Sequence, residues 1–479
     1  MPNDPILQSF EPLVRRDPLA PLIVSPERRA TVGDVDTLAR AAGRRLEGQE
    51  LAPGTVVALA AVNGPGFLAS FLALRRAGLA ALLLDGQTPA PEALRIAGAL
   101  GAPGLLGCRT GWPAGPDDWE WTEVPTGTES GTLHLPDIAV LKLTSGSTGT
   151  PRGIATPAEA LVADDAALTA TMGIRPDDRL LTTIPLSHSY GLSSLALPAL
   201  LRGTVLVIPE ESSLYDPFVT AERTGATVFP TVPAYLDALV RVHEPPLRPP
   251  LLRLVLTAGA PLSAATSCRF REIFGVPVHV FYGASECGGI CYDREGGAAE
   301  RGTVGSPVEG VRITLEPVAG EDPADAEGAV TVESPAVASG YVPEPDLRLG
   351  GGRFRTSDLA AWRDGELVLR GRVDDLVNIK GKKVNPREVE AVLCQLAGVD
   401  EAAVLGVTVP GRPGEVLRAV VACPPGRLTA EDVVSWCRSH LSAHKVPRSV
   451  ILVPRMPRTA RGKLDRPALL ALGADPGRG

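Results

Sequence analysis

Short apolar segments alternate with amphipathic ones between residues 55 and 283, and this alternation constrains the fold more than any other feature of the chain. Strands that alternate with helices form a largely parallel sheet covered by helices. Residues 67–76, followed by Gly78, show the helix and glycine stop expected between two such strands. We therefore predict an α/β fold with parallel-rich sheets flanked by helices. The predicted strands are residues 55–60, 79–84, 204–208, 226–229, 252–256 and 277–281.

Three motifs of small and polar residues directly follow apolar segments. In parallel sheets ligands bind at the carboxyl ends of the strands, so we predict that the three motifs share one ligand. The first motif predicts phosphate binding, because its glycines allow close approach of the backbone and Ser145, Ser147 and Thr148 add hydroxyl donors. A flexible turn is the alternative interpretation of that motif by itself. The motifs are TSGSTGTPRG (144–153), TAGAPLS (257–263) and YGASE (282–286).

The pattern changes after residue 302 to short strands and turns, which predicts a β-rich subdomain with a hairpin at Asp364-Gly365. Beyond residue 372 it becomes α+β. Asn385 is placed to cap a helix that runs to about residue 396. Strands near 402–409 and 416–423 and a helix over 429–441 follow. We predict an N-terminal domain at residues 1–371 and a small, mobile C-terminal domain at 372–479. Their junction is short and charged, as suits a hinge, and Asp374 lies in it.

Composition excludes several classes of protein. With 47 basic and 55 acidic side chains the net charge is −8, which gives no basic surface for nucleic acid. Residues 1–17 lack the basic-then-apolar pattern of a secretion signal, and Arg75 and Arg76 interrupt the most apolar stretch. We therefore predict a cytoplasmic protein without a membrane span. The seven cysteines are scattered and odd in number, which argues against a disulfide framework.

Lysine is rare: the chain has six lysines against 41 arginines, and five of the six follow residue 379. Lysine is a compact, mobile point charge and arginine a planar fork, so the two are not equivalent. Lys463 stands among arginines in PRTARGKLDR (457–466), which makes it a candidate functional ammonium. A solvated basic loop is the alternative.

Five motifs in a fixed order make the chain resemble the adenylate-forming enzyme superfamily of acyl- and aryl-CoA synthetases, free-standing adenylation domains and beetle luciferases. Each motif is weak alone, but the order of all five is highly specific, and the resemblance extends from about residue 20 to residue 470. The motifs are TSGSTGTPRG, PLSHSYGL (185–192), YGASE, FRTSDLA (354–360) with GRVDDLVNIKGKKVNPREVE (371–390), and PRTARGKLDR.

The resemblance implies a site for ATP. The residues that would hold the β- and γ-phosphates are Thr144, Ser145, Gly146, Ser147, Thr148, Gly149 and Arg152. Those that would enclose the adenine are Gly259, Ala260, Tyr282 and Gly283. Asp358 would accept hydrogen bonds from the ribose hydroxyls, with Arg372 assisting at the ribose or phosphate. Ser285 would donate to the α-phosphate, and Glu286 would hold Mg²⁺, a hard cation that binds carboxylate oxygen.

The implied reaction joins a carboxylic acid to the α-phosphorus of ATP, releases pyrophosphate, and then transfers the acyl group to a thiol. Its catalytic residues would be Lys463, Glu286, Ser285 and His188, with Lys463 entering the site for the first step. Rotation about Asp374 would then withdraw Lys463 and present the region of Gly381 to the entering thiol.

The acid would bind beside His188, Tyr190, Phe281, Gly288 and Gly289. Amino-acid-activating members place an aspartate near PLSHSYGL, and this chain has none there, so we predict an acid without an α-amino group. The two glycines are expected to leave room for an aryl or medium-length acyl group, and the bulky Phe281 to reshape the pocket.

CoA is the predicted acceptor of the acyl group. A carrier-protein phosphopantetheine thiol, an amine (as in an amide synthetase) and an oxygenase reaction are the alternatives, and either a monomer or a homodimer is possible. A P-loop ATPase is excluded, because no glycine-lysine-serine/threonine element follows the loop. The presence of Lys463, Glu286 and Asp358 argues against a purely binding descendant.

Overall fold

The computed structural model describes residues 4–125, 131–144, 151–209, 213–242, 247–317, 327–379, 382–408, 415–441, 445–458 and 464–472. The chain forms two compact units, the first comprising Met1–Ile313 and Val332–Phe354 and the second Thr314–Thr331 and Arg355–Gly479. These two units are defined by contacts within each unit, which do not show where the chain bends. The domain boundary between residues 371 and 372 therefore stays a prediction.

The helices and strands have the following bounds. The helices are α1 (Pro5–Arg16), α2 (Val32–Gly43), α3 (Pro65–Arg76), α4 (Ala90–Ala99), α5 (Ala158–Met172), α6 (Ser189–Gly191), α7 (Leu197–Arg202), α8 (Asp216–Thr224), α9 (Pro233–Val240), α10 (Ala264–Phe274), α11 (Ala298–Arg301), α12 (Pro386–Leu393), α13 (Ala430–His440) and α14 (Arg466–Ala471). The strands are β1 (Pro21–Val24), β2 (Arg29–Thr31), β3 (Val56–Ala61), β4 (Ala80–Asp85), β5 (Gly104–Cys108), β6 (Trp119–Glu123), β7 (Val140–Thr144), β8 (Arg152–Thr156), β9 (Arg179–Leu181), β10 (Val205–Val207), β11 (Val228–Thr231), β12 (Leu254–Thr257), β13 (Val278–Ala284), β14 (Gly288–Tyr292), β15 (Ser306–Pro307), β16 (Arg312–Glu316), β17 (Gly328–Glu333), β18 (Gly340–Val342), β19 (Leu349–Gly350), β20 (Arg353–Arg363), β21 (Glu366–Arg372), β22 (Val377–Ile379), β23 (Lys382–Val384), β24 (Glu401–Thr408), β25 (Glu415–Ala422) and β26 (Ser449–Val453). A π-helical turn, Leu192–Ala196, joins α6 to α7.

The first unit contains two parallel-rich sheets, and the α/β prediction is confirmed. One sheet has the strand order β18-β8-β7-β4-β3-β5-β6, with parallel pairing from β7 to β5. The other has the order β15-β14-β13-β12-β11-β9-β10-β1-β2, with parallel pairing from β13 to β1. The six predicted strands are β3, β4, β10, β11, β12 and β13. Alternation alone does not show that these strands belong to two different sheets.

A layer of helices lies between the two sheets. Side chains on β3 alternate, so that Val57 and Leu59 enter the core that also contains Leu256 of the other sheet, whereas Val56 and Ala58 face α4 on the outside. Helix α3 is buried from Pro65 to Arg75, as a helix covered on all sides must be. The first unit is therefore a stack of alternating helical and sheet layers.

The second unit has α+β character, as predicted. The hairpin between β20 and β21 has Asp364 at φ 51° and Gly365 at φ 80°, the left-handed pair that a two-residue turn requires. Asn385 caps α12 by accepting from the Arg387 N–H at 3.0 Å, but the helix ends at Leu393, earlier than predicted. Strands β24, β25 and β26 form a sheet with α12 and α13 on one face and α14 on the other.

Among the residues described here, no helix is both long enough and apolar enough to cross a membrane.

Candidate active site

Several predicted site residues lie outside the described residues: Ser145, Gly146, Ser147, Thr148, Gly149, Gly381 and Lys463. Two others are placed by their backbone. Thr144 ends β7 and pairs with Arg152 of β8, so a β-hairpin carries the predicted phosphate loop. Asp374 lies in a short 3₁₀ turn, Val373–Asp375, directly after β21.

The YGASE motif forms the end of β13 and the turn that follows it. Ala284 pairs with Gly288 across the β13–β14 hairpin, so Ser285, Glu286 and Cys287 make the turn, here called the acidic turn. The Ser189 hydroxyl donates to the Ser285 hydroxyl oxygen at 2.7 Å. The PLSHSYGL and YGASE motifs, which are about a hundred residues apart in sequence, therefore meet at this point.

Tyr341 joins the acidic turn to the predicted phosphate-binding hairpin. Its hydroxyl donates to Glu286 Oε1 at 2.8 Å, and its strand, β18, pairs with β8. The Arg152 guanidinium carbon lies 4.2 Å from the centroid of the Tyr341 ring, a cation–π distance. Burial and the neighbouring Glu286 raise the pKa of Tyr341, so the hydroxyl stays a donor. Sequence reasoning missed Tyr341, since one tyrosine after a Ser-Gly pair carries no recognisable signal.

Lys142 lies beneath the acidic turn and was also missed. It belongs to β7, its side chain is only 5% exposed, and its Nζ donates to the Ser285 carbonyl oxygen at 3.0 Å. Burial lowers the pKa of Lys142, while the nearby Asp164 and Glu286 raise it. A signal existed: Lys142 is the one lysine before residue 380, and it interrupts an apolar run.

Asp164 of α5 is a second buried ionisable residue at this turn. Its Oδ1 accepts from the Gly289 N–H at 2.9 Å, and burial raises its pKa against the opposing effects of that bond, of Ser193 and of Lys142. Gly288 has φ 70°, and a Cβ there would lie 2.2 Å from Asp164 Oδ1. A Cβ at Gly289 would lie 2.6 Å from a methyl carbon of Leu168. The expectation that these glycines leave open room is therefore wrong, because side chains of α5 occupy the space.

The other predicted acid-pocket residues gather near the acidic turn. His188 Nε2 lies 3.6 Å from Asp85 Oδ2 at the end of β4. The rings of Tyr190 and Phe281 have their centroids 5.8 Å apart, and the Tyr190 hydroxyl donates to the Leu256 carbonyl at 3.3 Å. Burial raises the pKa of Tyr190 and keeps it neutral. The rings of Tyr190 and Phe281 therefore pack together on one side of the predicted acid pocket.

The predicted adenine-binding residues lie at the carboxyl ends of two neighbouring parallel strands. Gly259, at φ 87°, and Ala260 are exposed after β12. Tyr282 is half-buried and Gly283 exposed on β13, which pairs with β12. This edge of the sheet is where α/β proteins bind ligands.

In the second unit, Asp358 and Arg372 pair across the β20–β21 hairpin, with Arg372 Nε 3.6 Å from Asp358 Oδ1. Both side chains are partly exposed, so the charged groups are open to a polar ligand. The backbone N–H of Asp358 donates to Thr356 Oγ1 at 2.9 Å, which fixes the strand locally.

The flanks of the Lys463 segment are anchored within the same unit. Arg458 pairs with Leu464 in an antiparallel bridge, and its guanidinium donates to both Glu401 carboxylate oxygens at 2.8 and 2.9 Å. Arg466 forms a bidentate pair with Asp375, which includes a 2.6 Å bond, and Asp375 is the neighbour of the predicted pivot Asp374. Arg466, which follows Lys463 in the sequence, is thus bonded to the residue next to the predicted pivot.

One carboxylate, that of Glu286, is the candidate metal ligand. No cluster of three or more His, Cys, Asp or Glu side chains suited to a metal ion occurs in the described ranges. Magnesium bound to a nucleotide takes one or two protein carboxylates beside the phosphates, so a single half-buried glutamate fits this ion.

Comparison with known proteins identifies the family of this chain. The AMP-binding enzyme family matches residues 10–342, and the AMP-binding enzyme C-terminal domain matches residues 388–463. The chain belongs to this family. It is 30% identical over 486 residues to the feruloyl-CoA synthase of an Amycolatopsis species, covering 94% of this chain and 96% of that protein. It is 28% identical over 470 residues to the oxalate–CoA ligase of Arabidopsis thaliana, covering 90% and 91%. The solved amide bond synthetase McbA from Marinactinospora thermotolerans superposes with a TM-score of 0.79 at 25% identity, over 98% of this chain and 100% of that chain.

Proposed function

We propose that this protein joins a carboxylic acid to ATP, releasing pyrophosphate and forming an acyl-adenylate, and then transfers the acyl group to the thiol of CoA, releasing AMP. One observation carries the proposal: Arg152, Tyr341, Glu286, Ser285 and Ser189, drawn from four separate segments, make one continuous chain of contacts. This chain links the predicted phosphate loop to the predicted acid pocket.

The first step brings together two anions, the acid and the α-phosphate, so it requires donors and cations that are already in place. Ser285, whose hydroxyl oxygen accepts from the Ser189 hydroxyl, would donate its own proton to an α-phosphate oxygen. Arg152 supplies fixed positive charge beside the polyphosphate, and Lys463 would add the mobile charge. Bound Mg²⁺, held by Glu286, would neutralise phosphate charge during expulsion of pyrophosphate.

The second step needs the adenylation groups to withdraw so that a thiol can reach the acyl carbon. A turn about Asp374 would move Lys463 away, because Arg466 and Asp375 tie the lysine segment to the residue beside the pivot. The thiolate attacks the acyl carbon, and AMP leaves with the electrons of the broken acyl–phosphate bond. Gly381 would border the entering thiol.

The acid is proposed to lack an α-amino group. The segment PLSHSYGL contains no aspartate that could bind an α-ammonium group, and the carboxyl group of Asp164 accepts from the Gly289 N–H. The carboxylate of Asp85 lies 3.6 Å from His188 Nε2. The space beside Gly288 and Gly289 is filled, so these glycines do not enlarge the pocket, and an aryl acid beside the rings of Tyr190 and Phe281 is proposed.

Relatives named for oxalate–CoA and feruloyl-CoA ligation support CoA as the acceptor. The likeness to an amide bond synthetase supports a second candidate, transfer of the acyl group to an amine. A carrier-protein thiol is the remaining alternative.

Pyrophosphate exchange into ATP, measured with a panel of aryl, dicarboxylic and short aliphatic acids, tests the adenylation step. Each acid that supports exchange is then incubated with CoA, phosphopantetheinylated carrier protein or an amine, and the product is identified by mass. We expect exchange and an acyl-CoA product. Absence of exchange with every acid would refute adenylation, and an amide product would favour the second candidate.

A further inference from the structure

Two buried ionisable residues beneath the acidic turn, Lys142 and Asp164, have no part in the two steps above. Lys142 lies on strand β7 of the seven-stranded sheet, and Asp164 lies on helix α5. The two residues are 5% and 4% exposed. Both residues pack against the same turn: Lys142 Nζ lies 3.0 Å from the Ser285 carbonyl oxygen, and a Cβ added at Gly288 would lie 2.2 Å from Asp164 Oδ1. Neither residue belongs to any of the five sequence motifs.

The pair holds the turn at both ends. Lys142 donates to the carbonyl of Ser285, where the turn begins, and Asp164 accepts from the N–H of Gly289, just after the turn ends. Between these two bonds lie the Ser285 hydroxyl and the Glu286 carboxylate. Any shift of Lys142 or Asp164 therefore moves the groups proposed to meet the α-phosphate and the metal.

Stability alone does not account for such a pair. Removing two charges from water is costly, and well-packed apolar side chains of similar volume often replace a buried ion pair with no loss of stability. Methionine at position 142 would fill nearly the same volume. Lys142 and Asp164 instead supply two directed hydrogen bonds to the turn, which apolar side chains cannot supply.

We infer that Lys142, together with Asp164, is a positioning residue for adenylation, because their two hydrogen bonds hold the turn that carries Ser285 and Glu286. The inference rests on the proposed function. Groups that support metal or substrate ligands through a hydrogen bond typically change activity by about 10- to 100-fold when removed.

The test uses the charge-balanced double variant Lys142→Met/Asp164→Asn, together with the single variant Lys142→Met. The double variant leaves no unpaired buried charge, so it separates positioning from folding. The matched control is Arg253→Met/Asp178→Asn, which removes an ion pair between a partly exposed arginine and a buried aspartate, just before strands β12 and β9. Melting temperature is measured for every variant.

We expect kcat for pyrophosphate exchange to fall by about 10- to 100-fold in the double variant, with KM for the acid within about twofold. The melting temperature should recover from the single variant to the double variant. The control pair should keep its kcat. If the double variant exchanges at the wild-type rate, Lys142 only neutralises Asp164, and the inference is overturned.

Hydrogen–deuterium exchange supplies a readout that needs no substrate. Amides of residues 282–289 should exchange at least about tenfold faster in the double variant than in the wild type, because the variant lacks the hydrogen bond from Lys142 to the Ser285 carbonyl and the carboxyl group that accepts from the Gly289 N–H. Peptides from β3 and β4 should be unchanged. Unaltered protection of the turn would overturn the inference even if the enzyme proves active. Absence of wild-type pyrophosphate exchange would count against the proposed function alone.

Discussion

Replacing Tyr341 by phenylalanine removes one oxygen atom and leaves the ring on which Arg152 stacks. The lost contact is the 2.8 Å hydrogen bond to Glu286 Oε1. A hydrogen bond to a charged group contributes about 1.5–3 kcal/mol. Both side chains are half-buried, so water can partly replace the donor, and the lower figure applies. About 1.5 kcal/mol corresponds to roughly a tenfold change.

The assay is a Mg²⁺ titration of pyrophosphate exchange at saturating ATP and acid. Without the tyrosine donor, Glu286 is less well held, so the half-saturating Mg²⁺ concentration should rise by about tenfold. Maximal exchange at high Mg²⁺ should stay near that of the wild type. Tyr341→Leu, which also removes the ring beneath Arg152, should lower maximal exchange as well.

The matched control is Tyr235→Phe. Its hydroxyl donates to the Leu214 carbonyl at 2.5 Å, away from the acidic turn, so the Mg²⁺ requirement should not change. If Tyr341→Phe leaves the half-saturating Mg²⁺ concentration within about twofold of wild type, the tyrosine does not support a metal ligand, and the reasoning is refuted.

Three further predictions concern other parts of the chain. Lys463→Ala should abolish pyrophosphate exchange, by a hundredfold or more, while sparing thioester formation from synthetic acyl-adenylate; equal loss of both reactions would contradict its proposed role. Asp374→Pro, which fixes φ, should spare exchange and slow thioester synthesis, and unchanged overall turnover would count against a hinge. Asp165 is a carboxyl whose pKa is raised to about 6 by burial, against the effect of Arg202. As the pH rises, Asp165 loses its proton at a lower pH in the unfolded chain than in the folded chain. The free energy of unfolding should therefore fall between about pH 4 and about pH 6, by up to about 3 kcal/mol. Asp165→Asn should remove this fall in urea unfolding measured across that range.

Much of the architecture could be predicted because its signals are local. The apolar runs became strands within about three residues of their expected positions, and Asn385 and Asp364-Gly365 acted as cap and turn. Pairing between strands is not local. Parallel strands can join any neighbour of similar pattern, so the sequence did not show that β7 and β13 belong to different sheets.

The site was predicted where its residues lie in ordered motifs and missed where they lie outside them. Lys142 had a compositional signal, but Asp164 had none, because an acid on a helix normally faces water. The prediction for Gly288 and Gly289 was wrong in another way, because the absence of a side chain at these glycines was interpreted as open space in the pocket. Only three-dimensional packing reveals that Asp164 and Leu168 fill that space.

Helix α3, buried along its length between two sheets, limits how this protein can be divided or recombined. A fragment with only one of the sheets would expose a broad apolar surface and would aggregate before it could bind nucleotide. Variants intended to change the acid preference should therefore carry single substitutions in the pocket, or else a chimera should exchange the whole first unit. Unfolding of that unit is expected as one cooperative transition, which ATP should shift as a single step.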